Sequence, residues 1–340
     1  MLVNMKINKT FAGYLCGLIA VFFWGFHSVV VRKLTQESIN PEVIAVLRLF
    51  IGSFTVLGVT AITRFFSKDS KKVNFNIKYT FYFWLTVVGV ALNFIFFHQG
   101  LKFTYASNAL LIETFAPVFV LFFIIFFLPS RIEFLRKRHD LVTRLVFIVL
   151  IGSVGSSILL SSGAKDHFIN LENKFLGDVL EFMAMLFYAM FLVGSNEYKK
   201  QNMDKSAMST TAQFLLFAGL IVALVLPFTT TLHEFTKITR DQWLLIFCIG
   251  FFSTGIAYTL WHMASKYLRV ITLSLLFSLS AVATVVVENL VFGTTITWRI
   301  VVSSILILSA SILAELTYKG GDKWIETQKS EAVEKPEITH

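Results

Sequence analysis

The chain has 340 residues, 56% of them hydrophobic and 15% charged, with a mean hydropathy of +0.71 and a net charge of +9. Soluble domains average about 45–50% apolar residues. Here the charges are bunched between apolar runs long enough to cross a bilayer, which takes about 20 helical residues for a ~30 Å hydrocarbon core. A soluble enzyme is excluded, and little chain is left for an extramembrane domain.

Ten spans are expected in chain order: 11–31, 42–63, 80–101, 105–128, 141–161, 175–195, 209–228, 242–264, 270–291 and 298–317. Lys6 and Lys9 precede the first span, which is too long for the apolar region of a signal peptide and lacks a small-x-small cleavage site, so it reads as uncleaved. The "LRKRHD" run (Leu135 to Asp140) has the charge of a nucleic-acid patch. As a short loop between spans it fits an anionic leaflet better, and no nucleic-acid partner is expected. Cys16 and Cys248 both fall within spans, which leaves no disulfide framework. The "NKT" sequon at Asn8 falls in the predicted cytoplasmic tail, where it is idle. Residues 318–340 are polar and are expected to form a disordered cytoplasmic tail. With the N-terminus inside, 21 Lys and Arg fall on the cytoplasmic side and 8 outside, Arg48 lying within a span. By the positive-inside rule this is a multi-pass protein of the cell membrane with both termini cytoplasmic.

The halves repeat. An offset of 164 aligns Gly13 with Gly177, Ala20 with Ala184, Phe23 with Phe187 and Trp24 with Tyr188. "FHQGLKF" (from Phe97) falls on "WHMASKY" (from Trp261), pairing His98 with His262 and Lys102 with Lys266. Five spans per repeat is an odd number, so the second half enters the membrane inverted, as in many carriers. Arg144 matches Arg299 at an offset of 155, so the first half carries extra residues in its 129–140 loop. The fifth spans hold no interior ionisable residue and read as scaffold helices, with Gly152, Gly155, Ser303 and Ser304 allowing close packing. The expected fold class is an all-α integral membrane protein, ten transmembrane helices arranged as two inverted five-helix repeats. Residues 1–140 hold helices 1–4 and a cytoplasmic loop, 141–161 the fifth helix, and 175–317 the second repeat.

Several motifs occur in a telling order: "FFWGFHSVVVRKL" (from Phe22) followed by Pro41 and Arg48, "YASNALLIETFAPVF" (from Tyr105), "GDVLEFMAMLFYAMF" (from Gly177) and "STGIAYTLWHMA" (from Ser253). On these the chain resembles the drug/metabolite transporter superfamily, specifically its EamA-type carriers with ten helices in a five-plus-five duplication. The resemblance covers nearly the whole chain except the C-terminal tail. It departs where the family often has Gly-Glu after the fourth and ninth helices. Here those sites read "LPSRIEF" (from Leu128), with Glu133 displaced, and "GTT" (from Gly293). Ala281 stands in the ninth helix where the fourth has Pro117. Resemblance implies export more often than import.

Charged residues inside a membrane cost roughly 2.5–3.5 kcal/mol each on insertion scales, so each marks a candidate site. Within the spans these are His27, Arg48, Glu113, Asp178, Glu181 and Glu288. At a rise of about 1.5 Å per residue all six fall in the outer half of the bilayer, with Arg48, Glu113 and Glu181 some 9–12 Å deep. The expectation is an outward-opening vestibule floored by those three. Arg48 and Glu113 alternatively form a structural ion pair, and Asp178 and Glu288 are read as interfacial. Glu113 and Glu181 are the proton-coupling candidates. Trp24, His27, Arg48, Asn93, Glu113, Tyr188, Tyr258 and Trp261 are the substrate-binding candidates, with Phe26 and Phe97 further aromatics for a central cavity. His98 and His262 lie near opposite ends of their spans, too far apart to share a ligand, and are read as structural or interfacial anchors.

These features favour a secondary transporter that moves a small metabolite, an amino acid or related organic solute, by alternating access. No ATP-binding G-x-x-x-x-G-K-[ST] loop is present, so gradients supply the energy. No cofactor, catalytic residue or metal site is expected. The partners are a small-molecule substrate and membrane lipid, with a monomer or homodimer as the assembly. A membrane channel and an intramembrane lipid-modifying enzyme are the alternatives. The enzyme would need a nucleophile or metal cluster at one depth, and no such motif is found. The channel would need matching filter residues, whereas Glu113 aligns with Phe277.

Overall fold

The computed structural model describes residues 9–66, 78–104, 109, 112–113, 116–127, 139–160, 174–202, 207–230, 233–292, 298–299, 301–314 and 316–317. Asn8, Glu133, most of the basic loop before α5 and the tail at 318–340 lie outside them, as does the side chain of Glu288. The described residues form helices and short connections, with no strand among them.

The main helices are α1 (Lys9–Gln36), α2 (Pro41–Phe66), α3 (Phe81–Phe103), α4 (Ala116–Phe127), α5 (His139–Leu160) and α6 (Lys174–Gln201). They continue with α7 (Ala207–Ala223), α8 (Arg240–Ala264), α9 (Val270–Phe277 and Leu279–Phe292) and α10 (Val301–Ala314). Seven of the described helices are long and apolar enough to cross a membrane: α1, α2, α3, α6, α7 with its extension to Thr229, α8, and α9 as far as Val287. Thr143–Gly155 of α5 and Val301–Ala314 are shorter apolar helices.

Local chemistry sets the boundaries. The turn between α1 and α2 passes through Ser38 at φ 66°, and the next helix opens on Pro41, where a missing N–H costs nothing. Asn40 Oδ1 accepts from the Glu42 N–H at 2.9 Å there. Pro227 sits in the short helix Leu226–Thr229, and the chain turns at 224–225 just ahead of it. Thr239 and Gln242 form a reciprocal capping box at the start of α8.

The packing exchanges the two halves. α1 lies on α8 as α3 lies on α6; α2 meets α8 as α7 meets α3; α1 meets α9 as α6 meets α4. The α2–α7 and α4–α9 contacts map onto themselves. The correspondence reaches single residues. A Cβ on Gly13 would touch Tyr267 and Leu268, and one on Gly177 would touch Phe103 and Thr104, both pairs offset by 164. The fifth helix of each half joins the other through glycine: a Cβ on Gly155 would lie 2.8 Å from Leu306 Cβ and 3.2 Å from the Ser303 carbonyl. One apolar core spans both halves, including Leu49, Ala91, Ala189, Ile249 and Leu276.

One element breaks the symmetry. Ile249–Ile256 in α8 is a π-helical turn, whereas its counterpart at 85–92 in α3 is ordinary α-helix. The wide turn presses on α2, where a Cβ on Gly250 would meet Ile51 at 2.7 Å and one on Gly255 would meet Thr55 at 2.6 Å. Such turns concentrate at functional sites.

Candidate functional site

Where the halves meet, α1, α2, α3, α6, α8, α9 and the segment ahead of α4 surround a cavity. Trp24 anchors its wall. The indole N–H donates to the Ser253 carbonyl of the π turn at 3.0 Å, and Ser253 Oγ donates back to the Phe23 carbonyl at 2.8 Å. Around the fixed indole stand Tyr258 and Phe277, at centroid distances of 5.5 and 5.4 Å. Tyr188 stacks on Phe277 at 4.0 Å, and its hydroxyl has no partner.

The polar groups divide by helix. Arg48, buried on α2, donates from Nη1 to His98 Nε2 at 3.0 Å and lies 4.9 Å from the centroid of the Phe94 ring. A guanidinium only donates, so Nε2 is the acceptor and the His98 hydrogen sits on Nδ1, which donates to the Phe94 carbonyl at 2.7 Å. Among the described residues Arg48 Nε has no partner. Glu113, buried on the segment ahead of α4, accepts from Ser280 Oγ at 2.8 Å. His27 donates from Nδ1 to the Trp24 carbonyl at 2.8 Å, and Asn93 Nδ2 donates to the Ala184 carbonyl at 2.9 Å.

Seven of the eight substrate-binding candidates line this one cavity: Trp24, His27, Arg48, Asn93, Glu113, Tyr188 and Tyr258. Trp261 touches Trp24 at a centroid distance of 4.8 Å but lines a second cavity, shared through Tyr258. Phe97 lines the first cavity, and Phe26 lines neither.

Two expectations are corrected. Arg48 and Glu113 face the same cavity but form no ion pair, because each is held by a neutral partner, His98 and Ser280. Of the two readings of His98, structural and interfacial, the structural one fits: it is 1% exposed and holds the arginine. Glu181 does not floor the cavity. It is buried at the α3–α6 seam, where Gly100 makes room for it, and neither carboxyl oxygen has a partner among the described residues. Lys199 belongs to α6 and lines the second cavity. Asp178 accepts from Thr104 Oγ1 on the same seam. Ser280 and Met185 were not singled out in the sequence, since a serine or methionine in an apolar run carries no signal until its neighbouring helix is known.

Comparison with known proteins reaches both halves. The EamA-like transporter family matches residues 11–162 and again 175–316. The chain is 23% identical over 289 residues to the uncharacterized transporter YyaM of Bacillus subtilis (strain 168), covering 85% of this chain and 87% of that protein. It is 20% identical over 302 residues to an uncharacterized transporter of Clostridium kluyveri, covering 88% and 92%. A solved structure described as "Crystal structure of protein" superposes with a TM-score of 0.67 at 16% identity, over 89% of this chain and 96% of that one, which bears on the fold alone. One family thus matches each of two halves that pack as counterparts around a shared cavity, and the chain belongs to the EamA-like transporter family, a membrane transport protein.

Proposed function

We propose that the protein is a secondary carrier for a small zwitterionic metabolite, an amino acid or a close relative, exported across the cell membrane by alternating access. One observation carries this reading: a cation and a carboxylate, Arg48 and Glu113, line the same aromatic-walled cavity without pairing with each other. A solute carboxylate complements the guanidinium, a solute ammonium complements Glu113, and the Trp24–Tyr188–Tyr258 wall suits an apolar or cationic body. Glu113 and Glu181 are assigned to proton coupling, the first in contact with solute and the second behind it on the α3–α6 seam. The lysine and arginine distribution favours cytoplasmic termini. The chain acts without cofactor or chemistry of its own, as a monomer or homodimer.

Counterflow in proteoliposomes tests this. Zwitterionic amino acids should exchange saturably, whereas the matching amines and amides, each lacking the carboxylate, should not. Absence of counterflow for every amino acid, or equal exchange of zwitterion and amine, overturns the reading.

A further inference from the structure

A second cavity lies along α6 towards its C-terminal end, past the Met185–Tyr188 stretch that lines the first. Its wall repeats the first at the offset of 164. Phe191 and Leu192 stand in the places of His27 and Ser28, while Tyr258, Trp261 and His262 stand in those of Phe94, Phe97 and His98. In the first cavity a cation, Arg48, joins the histidine ring; the second has a cation of its own, Lys199, which is not the repeat counterpart of Arg48 and contacts the His262 carbonyl.

Lys199 has only neutral partners. Its Nζ donates to Ser265 Oγ and, at 3.4 Å, to the His262 carbonyl. Among the described residues no carboxylate lies within 4.0 Å of it, and Glu197, two residues away on α6, pairs with Lys200 at 2.5 Å. The indole N–H of Trp261 in the same wall is buried and has no acceptor among the described residues. An ammonium without an anion and an N–H without an acceptor, facing one cavity, complement an anionic oxygen group.

We propose that the second cavity is a binding site for a carboxylate, held by Lys199 and the Trp261 N–H, where the solute's anionic end rests at the far end of its path from Arg48. The solute's identity rests on the transport reading above; the site does not. Tyr258 lines both cavities and stands between the two anion positions.

The test titrates tryptophan fluorescence of the full chain in phosphatidylcholine nanodiscs with propionate and, as neutral control, propionamide. Propionate should give a saturable response that Trp261→Phe removes and propionamide does not reproduce. Lys199→Gln should weaken apparent affinity about tenfold, the scale of one lost charge-assisted hydrogen bond. Lys199→Arg should restore it, and Arg48→Gln should leave the Lys199-dependent response in place. The site is overturned by a wild-type protein that does not respond, by a response unchanged in Lys199→Gln, or by one lost in Arg48→Gln alone. It is also overturned if chloride reproduces the response, which means an adventitious ion only, or if phosphatidylglycerol in the disc abolishes it, which makes a lipid headgroup the occupant. A sound propionate response alongside failed amino-acid counterflow would overturn the solute assignment and leave the site standing.

Discussion

Arg48 is the cation that lines the first cavity. His98 takes one of its hydrogens and Phe94 lies against it, while Nε remains unpartnered. A planar fork of this kind reads a carboxylate in a way that a lysine cannot. Arg48→Lys should therefore raise the KM for a zwitterionic solute by about tenfold or more, the scale of a charge-assisted hydrogen bond. Initial-rate uptake checks this, and an unchanged KM would remove Arg48 from solute contact. Glu181 makes a separate prediction. With both carboxyl oxygens buried and unpartnered, it is the group best placed to carry a proton rather than a contact. Glu181→Gln should weaken solute-driven proton movement, followed with a pH-sensitive dye, while solute counterflow persists. Intact proton movement in both Glu181→Gln and Glu113→Gln would take these carboxyls out of coupling. Arg48 and Glu113 were legible in the sequence because a charge inside an apolar run is costly wherever it points. The role of His98 was not, since helical spacing places it at a depth but cannot say that α2 brings an arginine to its ring.

At the scale of the helix, glycines set how closely the two halves approach. A Cβ on Gly25 of α1 would lie 2.5 Å from Ala283 Cβ and 2.6 Å from the backbone of α9, whereas Gly58 of α2 has nothing within 4 Å. Gly25→Ala must push α1 off α9, a form of overpacking that costs about 1–3 kcal/mol. Gly58→Ala gains helix propensity of up to about 1 kcal/mol. Thermal unfolding in detergent should show the first variant lowered and the second level or raised. Equal melting of the two would mean that α1 and α9 are not in close contact. The helices themselves were readable from hydropathy, and the span expected at 242–264 corresponds to α8 at Arg240–Ala264. The π turn inside α8 was not readable, because "IGFFSTGI" has the composition of an ordinary apolar helix and only its contact with α2 distinguishes it.

Across the whole molecule, the offset of 164 is the feature that sequence and structure share most fully. Gly13 with Leu268 and Gly177 with Thr104 are the same contact made twice. The repeat accounts for the matching helix contacts, but it did not reveal a second cavity, lined by Lys199 near the end of α6. The two cavities share Tyr258, and residues of the first recur in the second at the offset of 164, an arrangement that suits the proposed carrier if it opens one while closing the other.

Site-directed thiol labelling measures that directly. In a Cys16→Ser, Cys248→Ser background, single cysteines replace Ser28 in the first cavity and Ser195 in the second. A membrane-impermeant maleimide should reach the two positions from opposite faces of the membrane, and saturating solute should change their reactivities in opposite directions. Labelling of both from the same face, or a parallel rise and fall with solute, would contradict the carrier account.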